Sequence, residues 1–236
     1  MKSRQIIEEI NEIAISSEGE EIFLPQVRDY LDIDKQYTHL MFLYEAAVSQ
    51  LEGRLDILAR EFQFKHERNP IENVKSRIKS KESILQKMAR KGLPMTGSAM
   101  TNYILDVAGI RIICPFISDV YQVARMVLNQ RDVELLIIKD YIRDPKENGY
   151  RSLHLIVQVE VPFSEQIKKV PVEIQIRTIA MNFWASTEHQ LRYKKERAFT
   201  ESMQQQLKHC ADIMAEADAQ MQQIAEDFYH EQWLHT

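Results

Sequence analysis

The stretch VPVEIQIRT, residues 170–178, alternates apolar with polar. On a strand, Val170, Val172, Ile174 and Ile176 fall on one face, and Pro171, Glu173, Gln175 and Arg177 on the other. RSLHLIVQV behaves the same way, with Leu153, Leu155 and Val157 opposed to Ser152, His154, Ile156 and Gln158. In DVAGIRIIC, Asp106 stands just before a third apolar run and Arg111 lies within it. Each segment alone reads as a solvated face or a structural histidine. Together they offer an Asp, a Glu, a His and several cations. Two carboxylates among cations suit a magnesium–polyphosphate site, because Mg²⁺ takes oxygen ligands from one or two carboxylates plus phosphates. Lys and Arg then offset the remaining phosphate charge.

A polar turn, KENGYR, precedes the second of these strands. Gly149 permits a sharp reversal. Tyr150 offers a ring on which a purine can stack, an interaction of about 1–3 kcal/mol. Lys146 and Arg151 lie beside it for phosphates. A second nucleotide has its cations in the block from Lys65 to Arg111, which holds ten Lys and Arg against four acids in a chain of net charge −5. One basic block in an acidic chain suggests a local anionic ligand rather than a long duplex. No GxxxxGK[ST] or kinase-type glycine loop is present.

These groups need a scaffold, and 236 residues with 44% hydrophobic content can supply one core. Residues 1–34 read as a mixed lead-in with a short helical pattern at Ile6, Ile10 and Ile13. A long helix is expected over 35–65, where Leu40, Leu43, Ala47, Leu51, Leu55, Leu58 and Phe62 recur at steps of three and four. Asn69-Pro70 ends that pattern. Over 73–81, Lys75, Arg77, Lys79 and Lys81 take alternate positions, as on one side of a strand. Helices follow at about 80–90, ending at Gly92, at 98–105 and at 119–129. Strands are expected at 109–116, 133–141, 153–161 and 170–177. Thr178 can cap a helix running to about 194. A last helix covers 200–229, with Met203, Leu207, Cys210, Met214, Ala217, Met221, Ile224 and Phe228 as an a/d seam for packing on the long N-terminal helix or on another subunit. The fold class is therefore α+β, a mixed sheet flanked by helices with long N- and C-terminal helices. Cys114 reads as a buried filler; with Cys210 far away, no zinc knuckle or disulfide framework is expected. The start, MKSRQIIEEINE, lacks an apolar signal core, and no apolar run reaches the roughly 18 residues of a membrane span. A cytoplasmic protein is expected.

NPIENVKSRIKSKESILQK, DVAGIRIIC, NGYRSLHLIV and VEIQIRTIAMNFWASTEHQLRYK, in that order, resemble the synthetase domain of the RelA/SpoT homologues. The resemblance covers about residues 40–195, and the chain looks like a stand-alone small alarmone synthetase. It implies a nucleotidyltransferase-like fold in a domain over 35–199, with 200–236 as a C-terminal packing or oligomerisation helix. It implies transfer of the β,γ-pyrophosphate of ATP to the 3′-hydroxyl of GDP or GTP, giving AMP and ppGpp or pppGpp, with Mg²⁺ as cofactor and a homotetramer as assembly. By matching motifs, Asp106 holds Mg²⁺, and Glu173 either shares the metal or takes the hydroxyl proton. Arg77 and Arg111 sandwich adenine. Lys79, Ser83 and Lys87 meet the ATP phosphates. Tyr150 stacks on guanine, Lys146 and His154 contact the phosphates of the guanine nucleotide, and Gln175 and Asn182 complete its pocket. The product-stimulated branch of the family is associated with an aromatic just before the Arg77 motif, where this chain has Asn73. The resemblance thus leans towards the less stimulated branch.

Two rival readings remain. A nucleotidyltransferase releasing pyrophosphate would use similar groups, but the GS motif followed by a DxD-type pair that is expected of it does not occur. A non-catalytic module for guanine nucleotides or single-stranded RNA would need Tyr150 and the basic strand but not Glu173, and weak RNA binding stays open.

Overall fold

The computed structural model describes the backbone of residues 23–193 and 199–233, and the side chains of 37–192 and 199–229. The pattern at Ile6, Ile10 and Ile13 and the side chain of Trp233 lie outside the described residues. Six helices and five strands follow one another as α1 (Phe23–His66), β1 (Asn73–Ile78), α2 (Lys81–Arg90), α3 (Gly97–Tyr103), β2 (Ala108–Cys114), α4 (Ile117–Leu128), β3 (Val133–Asp140), β4 (Leu153–Pro162), β5 (Ile167–Thr178), α5 (Ile179–Tyr193) and α6 (Glu201–Trp233). The strands form one mixed sheet in the order β1-β2-β5-β4-β3. Only β2 and β5 run parallel; the other neighbours are antiparallel.

The alternation in the sequence decides which face is the core. Ile110, Ile112, Leu153, Leu155, Val157, Val172, Ile174 and Ile176 are all buried, and α1 and α4 pack on this side. The stripe on α1 buries Ala47, Leu51, Leu55, Leu58 and Phe62 as expected, together with Tyr44 and Val48. Each fully buried Leu or Ile contributes on the order of 1.5–3 kcal/mol, so this face fixes the register of the whole sheet. Cys114 is buried within it, and burial pushes its thiol far up, as for an inert filler.

Three expectations are corrected. The long helix begins at Phe23, inside the expected lead-in. The first strand stops at Ile78, so Lys79 and Lys81 leave the alternating row. The cause is local: the Ser80 side chain accepts from the Ser83 N–H and caps α2, which turns the chain away from the sheet. The third concerns α6. It packs on α5 and α4 rather than along α1, and buries Ala211, Asp218 and Ala225. Most of the apolar seam faces outward: Met203, Cys210, Met221, Ile224 and Phe228 are exposed, whereas Leu207 and Met214 are half-buried. The inner face uses small residues because α6 must come close to the loop after β3. At Gly149, with φ 87°, a Cβ would lie 2.5 Å from the Ala211 Cβ. The Thr178 hydroxyl fixes the same helix, donating to Asp218 Oδ2 at 2.5 Å and accepting from the Met181 N–H as the cap of α5.

Candidate active site

The polar face of the sheet carries two rows of side chains. In one, pairing aligns Lys75, Arg111, Gln175, His154 and Lys139 across five strands; in the next it aligns Arg77, Gly109, Glu173 and Ile156. Gly109 has no side chain, so Arg77 lies across its position.

Around Glu173 the hydrogen bonds close into a ring. Arg177 Nη2 donates to Tyr150 Oη at 2.6 Å and to Gln175 Oε1 at 3.0 Å. Gln175 Nε2 donates to Glu173 Oε2 at 3.0 Å. Tyr150 Oη meets His154 Nε2 at 2.7 Å, and His154 Nδ1 lies 3.3 Å from Glu173 Oε1. A neutral histidine with its proton on Nδ1 satisfies every member, Tyr150 donating to Nε2 and Nδ1 donating to the carboxylate. Burial pushes the Glu173 carboxyl up, as does the charge of Asp106. The His154 and Gln175 contacts outweigh both and hold it below its ordinary value.

A second cluster lies at the mouth of β2. Asp106 Oδ2 accepts from Lys79 Nζ and from Lys87 Nζ, each at 2.5 Å. Burial raises this carboxyl too, yet the two ammonium groups hold it below its ordinary value. Its other oxygen, Oδ1, is buried without a hydrogen-bond partner. Ser83 stands one turn before Lys87 on the same face of α2. Arg111 is half-buried beside Arg177 and Arg77; desolvation and those two charges press its pKa down.

The loop at Lys146 to Tyr150 is built by its own backbone. The Gly149 N–H donates to Lys146 O, the Lys146 N–H to Tyr150 O, and Asn148 Oδ1 accepts from the Tyr150 N–H. Lys146 Nζ sits 4.6 Å from the ring centre of Tyr141 and 4.8 Å from that of Tyr150.

A family model described as a region found in RelA / SpoT proteins matches residues 76–198. GTP pyrophosphokinase YwaC of Bacillus subtilis (strain 168) is 42% identical over 193 residues, 82% of this chain and 92% of that protein. The chain belongs to the RelA/SpoT family. GTP pyrophosphokinase YjbM of the same organism is 36% identical over 81% of this chain and 89% of that protein. Among solved structures, small alarmone synthetase 1 from Bacillus subtilis bound to its product pppGpp superposes with a TM-score of 0.75 at 35% identity, covering 82% of this chain and 98% of that one. Small alarmone synthetase 2 from the same organism gives 0.72 at 41% identity, over 79% and 97%.

Against the family expectations, the structure brings Lys79, Lys87 and Asp106 into one cluster, and Tyr150, His154, Gln175 and Glu173 into another. Arg77 and Arg111 lie on the same sheet face between them. Asn182, in the first turn of α5, keeps a buried Oδ1 without a partner. Ser83 is exposed and engaged with Ser80. Sequence reasoning left Arg177 and Tyr141 out of the site. The parity of VPVEIQIRT already put Arg177 on the right face; nothing in the sequence showed that it would be buried at the centre of the ring. A cavity of about 970 Å³ lies elsewhere, between the ends of α1, α4 and α6. Its Arg68 and Asp119 are already paired to each other.

Asp106 and Glu173 carry folded-state pKa values below their ordinary 3.8 and 4.5. Their contribution to stability is therefore complete above about pH 5 and is lost as pH falls through 4.5 and below 3.8. Thermal melts from pH 7 to 3 should show a shallower acid limb for Asp106→Asn than for the unaltered chain. Equal limbs would show that Asp106 is not held ionised by its lysines.

Proposed function

We propose that this chain is a (p)ppGpp synthetase that moves the β,γ-pyrophosphate of ATP to the 3′-hydroxyl of GDP or GTP, as the GTP pyrophosphokinases it resembles do. The observation that carries this reading is a pair of half-buried carboxylates, Asp106 at the mouth of β2 and Glu173 on the neighbouring β5, among Arg77, Lys79, Lys87, Arg111, Lys146 and Arg177. Six cations against two anions leave positive charge that polyphosphates can offset.

In this reading Arg77 and Arg111 hold adenine on the sheet face, and Lys79, Ser83 and Lys87 hold the ATP phosphates. The lysine ammonium groups keep Asp106 and reach the phosphate oxygens with their remaining N–H donors. Tyr150 exchanges the Lys146 ammonium for guanine on its ring, while Lys146 and His154 turn to the phosphates of the acceptor. Gln175 and Asn182 complete that pocket, the orphaned Asn182 Oδ1 offering an acceptor to base N–H groups. The 3′-oxygen attacks Pβ, the Pβ–O bond to the α-phosphate breaks, and AMP leaves with that bridging oxygen. The hydroxyl proton passes to a base, a role this reading gives to Glu173 beside its share in the metal. Holding both nucleotides in line supplies much of the rate.

The donor set also suits Mg²⁺. Asp106 Oδ1 is a buried carboxylate oxygen with open lone pairs, which is what a hard cation takes. Among the described residues no group of three or more His, Cys, Asp and Glu could hold a metal, so Asp106 and Glu173 would share it with substrate phosphates. Bound there, Mg²⁺ would neutralise phosphate charge in the transition state. The exposed seam of α6 suits a homotetramer, since such a stripe is the unit of helix–helix pairing. Among the described residues no helix is long and apolar enough to cross a membrane, in keeping with a cytoplasmic setting.

Incubation with labelled ATP, Mg²⁺ and GDP or GTP, resolved by thin-layer chromatography, should give AMP and ppGpp or pppGpp. Release of pyrophosphate would replace this reading with nucleotidyl transfer, and no product would leave a binding module. Glu173→Gln should lower kcat at least 100-fold; an unaltered rate would remove Glu173 from the chemistry. Tyr150→Ala should raise the KM for the guanine nucleotide about tenfold or more and leave that for ATP nearly unchanged. Arg77→Ala and Arg111→Ala should do the reverse, and the opposite pattern would exchange the two pockets. In light scattering, Met221→Glu with Ile224→Glu should lower the assembly mass from four chains; an unchanged tetramer would place its contacts elsewhere.

A further inference from the structure

Tyr44 is a core residue by its place on α1, with 2% of its surface exposed. A Phe would fill that place as well. Its hydroxyl is buried and has no hydrogen-bond partner, which is costly for a polar atom. Asp106 Oδ1 carries the same deficit. The two orphans belong to one region: α1 packs against α3 and β2, and Asp106 lies in the short connection between those two elements. The charge of Asp106 is also felt at the Tyr44 hydroxyl. One atom is a donor and the other an acceptor.

We infer that Tyr44 is a positioning residue for Asp106, its hydroxyl donating to Oδ1 across one buried water. Oδ2 is occupied by Lys79 and Lys87. A carboxylate oxygen has two lone pairs, so Tyr44 at one leaves the other for a cation. With both oxygens engaged the carboxylate cannot rotate, and its free lone pair points one way. Groups that orient a metal ligand from behind typically change affinity or activity by 10–100-fold when removed.

This inference rests on Asp106 as the metal-holding carboxylate, and the test separates the two. Tyr44→Phe keeps the ring and removes only the hydroxyl. Its Mn²⁺ affinity, read by electron paramagnetic resonance on the protein, should fall about tenfold. The Mg²⁺ concentration for half-maximal alarmone synthesis should rise by a similar factor, and kcat should fall at least tenfold, with the KM for GTP unchanged. A merely structural hydroxyl would leave all of these as they are, and its loss would hold or raise the melting temperature; that result overturns the inference. In an Asp106→Asn background, Tyr44→Phe should have no further effect on Mn²⁺ affinity, and an additive loss would likewise overturn it. If Asp106→Asn itself retains Mn²⁺ affinity and synthesis, the assignment of Asp106 falls, and the inference with it. If Asp106→Asn is inactive while Tyr44→Phe matches the unaltered chain, only the inference falls.

Discussion

The parallel pairing of β5 with β2 sets Glu173 level with Gly109, three residues after Asp106. One carboxylate is thereby fixed on a strand and the other at the mouth of its neighbour. The charge of Asp106 raises the cost of ionising Glu173, and burial raises it for both, yet each carboxyl is held below its ordinary value by its own donors. Lysines serve Asp106. A hydrogen-bonded ring of Gln175, His154, Tyr150 and Arg177 serves Glu173. An antiparallel partner would reverse the progression of neighbours along β5 and carry Asp106 away. The parallel pair in turn needs a crossover, which α4, β3 and β4 supply together.

The excess of cations is the other side of this arrangement. Arg177 is buried with only neutral acceptors, Tyr150, Ser152 and Gln175, and Arg111 lies next to it. Like charges at such range oppose folding, and the apolar face beneath must offset them. Such an excess of charge does not stabilise the empty chain. Lysine ammonium groups on flexible stems carry three N–H donors each, so both can hold Asp106 and keep donors for another acceptor, which a bidentate arginine pair would not.

The loop at Lys146 to Tyr150 and the exposed seam share one helix. The inner face of α6 holds the loop through the close approach of Ala211 to Gly149 and through the Arg151 Nη1 bond to Ala211 O at 3.2 Å. Trp184 Nε1 donates to Leu207 O at 2.7 Å and pins the same stretch to α5. The outer face of these turns presents Met203, Cys210 and Ile213 to solvent. Small residues face inward because backbone must meet backbone, and large apolar ones face outward. That is the reverse of a surface helix on a monomer, and it puts any chain that covers the seam one helix thickness from Tyr150.

How much of this was legible in the sequence follows from the range of each interaction. Alternation along β4 and β5 is local and strict, so the faces of His154, Glu173 and Arg177 could be read directly. The end of β1 could not be read from alternation, because Lys79 continues the pattern; the Ser80 cap broke it, and a cap signal in SKES had to be weighed against a strand signal of equal strength. The seam of α6 was legible as a pattern but not as a direction. Periodicity gives a stripe, whereas the side it faces depends on Ala211 and Asp218 meeting partners 40 to 62 positions away in Thr178 and Gly149. Tyr44 is the limiting case. In a stripe of core positions its ring explains its presence completely, and only the lack of a partner for its buried hydroxyl separates it from a Phe. A sequence records which side chains are present; an unmet hydrogen bond exists only once the chain has folded.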